Sequence, residues 1–154
     1  ADAKTLVTLL HLRDIAERDA TPFSIVSEML DLRNRQLAEV THVDDFIVSD
    51  HLISLMMAQL SENADLNAVF ADIFDPEGSE IYLKPVGDYI QLGQPVNFYT
   101  LLESARRRGE TAIGYRLAVE AGDASKSYGV HTNPKKSELV SFSEADKVIV
   151  VANE

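Results

Sequence analysis

The side chains most able to do chemistry are few and widely spaced. Four histidines, His11, His42, His51 and His131, occur in 154 residues. None has the HExxH or i,i+4 spacing that would set two imidazoles on one helix face around zinc, so each reads as structural or solvent-facing. Cysteine is absent, which removes thiolate nucleophiles, thiolate metal sites and disulfides. No GxSxG elbow accompanies the serines. No GxGxxG or GxxxxGKS-type loop follows a strand, so a complete nucleotide-phosphate site is not written in these residues. The pattern argues against an enzyme.

The carboxylates are the richer resource. Asp72, Asp75, Glu77 and Glu80 surround the sequence DPEGSE, and grouped carboxylates supply the hard oxygen ligands that Ca²⁺ takes. The spacing is not that of an EF-hand. A turn explains it better, with Asp75 capping, Pro76 stiffening and Gly78 taking a special dihedral. Asp44-Asp45 forms a second pair beside a strand start. Arg106-Arg107-Arg108 sits where a helix should end, opposing the negative end of its dipole, with pairing to acidic residues across an interface as the alternative. Arg116, next to Tyr115 on a strand, is a candidate pocket or interface arginine.

Charge and hydropathy limit the partners. The net charge is -11, with 16 acidic and 5 basic residues among positions 1–80 and 9 of each in 81–154. The acidic half repels phosphate backbones, so nucleic acid is not an expected partner, and cations or a basic surface are favoured. No apolar run approaches the ~20 residues that span a bilayer, so no direct membrane contact is expected of this segment. The chain starts ADAKT, without Met or a secretory signal pattern, which fits either a piece cut from a longer protein or a processed start.

Apolar spacing defines the elements that must position these groups. Residues 3–18 read as a helix with a broad apolar surface (Leu6, Val7, Leu9, Leu10, Leu12, Ile15). The turn at Ala20-Thr21-Pro22 ends it. Phe23–Glu28 reads as a strand, Asn34–Val40 as a short helix, and Phe46–Val48 as a second strand. Asp50–Leu60 reads as a helix capped by Ser49 or Asp50. Leu52, Ile53, Leu55, Met56, Met57 and Leu60 make it apolar nearly all round, so it must be covered on several sides, either by another chain, the favoured reading, or by its own core alone. Helices alternating with strands indicate a parallel α/β layer, and two strands alone make a poor sheet. Further strands or another chain are expected to complete it.

After a junction at Ser61–Ala64 the pattern changes to α+β. It gives a helix over Leu66–Phe74 capped by Asp65, a strand over Glu80–Pro85 and a helix over Asn97–Arg108 with Phe98, Leu101, Leu102 and Ala105 on one side. Gly109 ends that helix. Strands follow over Thr111–Val119 and, after a turn at Ser143–Asp146, over Val148–Ala152. Gly122–Leu139 reads as a long polar loop.

The stretches SEMLDLRNR, DDFIVSDHLISLMMAQLSEN, LNAVFADIFDPEGSEIY and ARRRGETAIGYR resemble the carboxyl-terminal cytoplasmic region of the CASTOR/POLLUX ion channels. This is a region of the RCK type, regulators of potassium conductance. The second half is more weakly similar to the ligand-sensing lobe of TrkA-type potassium uptake regulators. The resemblance implies that residues 1–63 are the last part of a Rossmann-like RCK domain with a crossover helix, and 64–154 its small carboxyl-terminal lobe. It implies a regulatory gating-ring domain on the cytoplasmic side of a membrane, coupling ligand binding to a pore domain of the same polypeptide. The expected partner is a second copy, as a dimer in isolation and a tetramer in the intact protein, with Leu52, Met56 and Leu60 at the interface. Ca²⁺ is the expected ligand, with Glu28, Asp31, Asp44 and Asp45 as candidate groups, since ligands of α/β sheets gather at strand ends. The alternative is a nucleotide- or ion-responsive regulatory subunit of a TrkA-type potassium transporter.

Overall fold

The computed structural model describes residues 2–19, 25–30, 45–75 and 77–153. The chain divides into two compact units, Ala1–Asn67 and Ala68–Glu154.

In the first unit, helix α1 (Asp2–Asp19) precedes strands β1 (Val26–Met29) and β2 (Asp45–Val48), and helix α2 (Ser49–Glu62) follows directly. The strands pair in parallel, Val26 with Asp45 through Met29 with Val48, which gives the α/β layer expected from the alternation. Among the described residues, Leu9 of α1, Ile25 and Met29 are the buried apolar residues here, and Asp2 Oδ1 accepts the Leu30 amide at 3.2 Å. β1 is described from Val26 to Met29, and Phe23 and Ser24 of the expected strand lie outside the described residues. The helix read over Asn34–Val40 and the turn at Ala20–Pro22 lie outside the described residues. The expected cap of α2 is not formed. Val48 occupies that position and no side chain bonds the first turn, because the chain enters the helix directly from β2.

Helix α3 (Leu66–Ile73) leads toward the second unit. Asn63, not Asp65, organises its approach: the Asn63 side chain accepts the Asp65 amide at 3.0 Å. The second unit then contains β3 (Glu80–Pro85), β4 (Val96–Asn97), helix α4 (Phe98–Arg107), β5 (Thr111–Arg116), β6 (Val130–Thr132), β7 (Leu139–Val140) and β8 (Lys147–Ala152). Four strands form one antiparallel sheet in the order β3-β8-β5-β6, and β4 pairs with β7 in a separate small ladder. The fold class is therefore α/β followed by α+β.

Helix α4 covers one sheet face. Its apolar residues at helical spacing, Phe98, Leu101 and Ala105, are buried against Ala112, Tyr115, Val148 and Val150. Asn97 caps it, its side chain accepting the Thr100 amide at 3.2 Å. Gly109 ends it with φ +76, the left-handed step that glycine makes without a Cβ penalty. Asp146, buried, ties the turn before β8 to the segment after β5: Oδ1 accepts the Ala118 amide and Oδ2 the Ser143 amide, both at 2.7 Å.

Two expectations for this unit were too coarse. The strand expected to run to Val119 ends at Arg116 and gives way to a 3-10 turn at Ala118–Glu120. The presumed loop 122–139 holds a 3-10 turn (Ala124–Gly129), the whole of β6 and the first residue of β7.

Candidate functional site

Helix α2 is the most unusual surface of the first unit. None of its residues is buried, and Leu52, Ile53, Leu55 and Met57 are exposed while Met56 and Leu60 are half-buried. Its sequence is apolar on nearly every side, yet the described residues of its own unit do not cover it. Leu52, Met56 and Leu60 recur at i, i+4 and i+8, so they form one stripe along the helix.

Two of the four candidate carboxylates of the first unit, Glu28 and Asp45, lie on its described strands. Glu28 is exposed near the carboxyl end of β1, paired with Ile47, whereas Asp45 opens β2 opposite Val26. In a parallel pair these positions lie two residues apart along the strands. Asp31 and Asp44 lie outside the described residues. Among the described residues, no three histidine or carboxylate groups come together in a way that could hold a metal ion.

In the second unit, the chain turns at Glu77 and Gly78 before β3, with Asp75 Oδ1 accepting the Glu77 amide at 2.9 Å. Gly78 takes no left-handed conformation, contrary to expectation. A cavity of about 430 Å³ lies beside the turn, lined by Asp72, Glu77, Glu80, Ser79, Tyr82 and Asn153.

Two polar nodes organise this unit. Glu110 receives Lys84 Nζ at 2.7 Å and the Tyr89 hydroxyl at 2.5 Å, while the Arg108 guanidinium lies over the Tyr89 ring. Burial raises the Glu110 carboxyl, but the hydrogen bonds from Lys84 and Tyr89 outweigh it and leave it below its ordinary value. Burial, then the Glu110 bond, pushes the Tyr89 phenol far up. Glu120 is the second node: Oε1 receives Lys126 Nζ at 2.8 Å and Oε2 lies 2.9 Å from His131 Nε2. Those two bonds, Lys126 first, hold its carboxyl below the usual range. The His131 ring stacks on Tyr115 at 5.0 Å.

The arginine cluster has a local explanation. Arg106 and Arg107 both bond Glu103, one turn earlier, at 2.7 and 2.8 Å, and Arg108 donates to the Asp88 carbonyl at 2.6 Å. The Arg106 and Arg107 bonds draw the Glu103 carboxyl down to about 2. Arg116 is half-buried on β5.

Among known proteins, the chain is 29% identical to the probable ion channel POLLUX of Arabidopsis thaliana, over 99% of this chain and 21% of that protein. It is 31% identical to the ion channel CASTOR of Lotus japonicus, over 77% of this chain and 17% of that protein. This chain is related to the CASTOR/POLLUX ion channels. The ion channel DMI1 of Medicago truncatula is 32% identical over 77% of this chain and 17% of its own length. The chain spans about a fifth of the length of the curated relatives it matches. No family model matches it. Among solved structures it is similar to the GsuK channel (11% identity, TM-score 0.38, 98% of this chain and 23% of that one). It is also similar to the GsuK RCK domain (14% identity, TM-score 0.37, 99% and 28%).

Sequence reasoning found the apolar helix of this CASTOR/POLLUX-related segment but passed over both polar nodes. Glu110 and Glu120 have no motif, and their partners lie 26 and 21, or 6 and 11, residues away. A signal was present at Gly114, a glycine inside a strand pattern, which marks close backbone approach. A Cβ there would sit 2.3 Å from the His131 carbonyl oxygen, so Gly114 reveals where β6 docks.

Proposed function

We propose that this chain is a regulatory segment of a cation channel, not an enzyme. It works on the cytoplasmic side of a membrane beside a pore domain of the same polypeptide. Similarity to CASTOR/POLLUX channels across nearly the whole chain carries this reading. In it, residues 1–63 are the last part of an RCK-type domain and 64–154 its small lobe. Copies associate through Leu52, Met56 and Leu60 on α2, as a dimer in isolation and a tetramer in the intact protein, and ligand-dependent shifts between two subunit arrangements move the pore. The unburied apolar surface of α2 supports that interface. Ca²⁺ is the ligand class proposed for Glu28, Asp31, Asp44 and Asp45. The described residues alone do not assemble a full donor set.

The test is electrical. The full-length protein reconstituted in planar bilayers is expected to conduct cations, and L52K/M56K/L60K to alter open probability while leaving single-channel conductance unchanged. Absence of conduction, or gating identical in the triple variant, refutes the reading. Sedimentation of the 154-residue chain supplies a second readout: association in the parent and a monomer in the triple variant.

A further inference from the structure

Strand β3 is an edge of the four-stranded sheet: among the described residues it pairs on one side only, with β8. Beyond that ladder, no backbone bond among the described residues reaches the main chain of residues 80–85. An uncovered edge offers its N–H and C=O groups to another strand. The side chains of β3 alternate. Glu80, Tyr82 and Lys84 share the face on which Tyr82 packs against the α4 core. Ile81 and Leu83 lie on the opposite, open face, 47% and 50% exposed. Edges are commonly blunted by charge or proline, and β3 carries both, in Lys84 and Pro85. A strand laid there in an arbitrary register would meet one or the other.

We infer that β3 pairs with the β3 of a second copy of this chain, antiparallel and centred on Tyr82. Facing residues in a pleated sheet lie on the same face, so a two-fold pairing of this strand must be centred on a residue. Centred on Tyr82, it sets Glu80 opposite Lys84 of the second copy, and Lys84 opposite its Glu80. On the open face Ile81 and Leu83 oppose each other twice, closing four exposed apolar side chains into one cluster. Opposite charges and apolar pairs at facing positions are what stabilise adjoining strands. Pro85, which lacks the N–H a ladder needs, falls opposite Ser79, outside the strand. Neighbouring registers lose these matches. Centring on Ile81 sets Glu80 against Tyr82 and Lys84 against Gly78. Centring on Leu83 brings Pro85 into the ladder opposite Ile81 and leaves Glu80 facing Val86. Lys84 already donates to Glu110, but an ammonium has three donors and this side chain is 34% exposed. Glu80 has no charged partner among the described residues, and the second copy supplies one.

This contact is separate from α2 and stands whether or not the channel reading holds. The ladder is short and small interfaces are transient, so it is read by covalent trapping rather than by mass. The chain has no cysteine, so introduced thiols report alone. I81C and L83C are each built into the 154-residue chain carrying L52K/M56K/L60K, which removes the α2 contact, and are mixed at high concentration in a glutathione redox buffer. Facing residues have Cα atoms about 4.5–5.5 Å apart, within the disulfide span of roughly 4.4–6.8 Å. Two I81C copies, or two L83C copies, instead set their thiols on diagonal positions roughly 7–8 Å apart. The mixture is expected to give several-fold more covalent dimer on a non-reducing gel than either variant alone. E80K, which sets like charges face to face, is expected to cut that yield several-fold, and E80Q decides the matter if E80K unfolds. No covalent dimer in the mixture, a yield matched by either variant alone, or a yield left unchanged by the folded Glu80 variant overturns the pairing.

Discussion

Gly109 and Gly129 share a backbone conformation but not an environment, and that difference gives a quantitative test of the second unit. Their φ values are +76 and +80. A Cβ on Gly109 meets nothing within 4 Å, whereas a Cβ on Gly129 would lie 2.2 Å from the Leu117 carbonyl oxygen and 3.1 Å from its carbon. Gly109→Ala therefore carries only the left-handed penalty, about 1–2 kcal/mol, part of which a stiffer unfolded chain offsets. Gly129→Ala carries the same penalty plus a displacement of rigid backbone. That displacement stretches the Leu117–Gly129 hydrogen bond, worth about 0.5–1.5 kcal/mol, and overpacks the loop by roughly 1–3 kcal/mol. The expected losses are about 1 kcal/mol for G109A and about 3 kcal/mol or more for G129A. All five tyrosines lie at or beyond position 82 and there is no tryptophan, so tyrosine fluorescence reports the second unit alone. In urea, with a slope of about 1–1.5 kcal/mol per molar, the midpoints should fall by roughly 1 M and by 2 M or more. Equal losses in the two variants would refute the docked geometry of the 118–129 segment.

The core and the titrating groups yield further expectations. Leu101 is fully buried beneath the sheet, so Leu101→Ala should lower stability by about 2–5 kcal/mol in the same urea assay. Glu110 has a depressed carboxyl. Its contribution is present above the ordinary carboxylate range and is lost as pH falls through the folded-state value, so E110Q should flatten that part of the stability-pH curve. The same variant should bring the Tyr89 phenol down toward its ordinary range, read as the 295 nm absorbance titration. Calorimetric titration of Ca²⁺ into the 154-residue chain is expected to show binding that weakens at least several-fold in E28Q/D45N, and no heat of binding in the parent would remove those carboxylates from the proposal.

The sequence disclosed long, strongly patterned elements and concealed short ones. Phe98, Leu101 and Ala105 recur at helical spacing and are the buried face of α4. The six-residue β8 is a nearly continuous apolar run because it lies at the centre of the sheet. By contrast, β6 has three residues, Val130, His131 and Thr132. That is too short for an alternation to register, and it is held by a glycine on its neighbour rather than by its own composition. Helix caps were legible only in part: Ser49 had the right chemistry, but the direct step from β2 into α2 left it inside the helix. The apolar excess of α2 could be read from Leu52, Met56 and Leu60, while the Glu110 and Glu120 nodes could not. Their partners become neighbours only when β3, β5 and β6 have paired.

The position of β8 has a consequence for how the protein is made. This strand lies between β3 and β5, yet it is the last strand of the unit to leave the ribosome. Until Lys147–Ala152 emerges, β3 has no hydrogen-bonding neighbour and Val86, Leu101 and Tyr115 lack the Val148 and Val150 side chains that close the core. The nascent second unit must therefore wait with its apolar residues uncovered, and its closing step joins segments more than sixty residues apart. Such distant pairing makes folding slow, so shielding of the emerging chain is expected to matter more here than for the local helix α2.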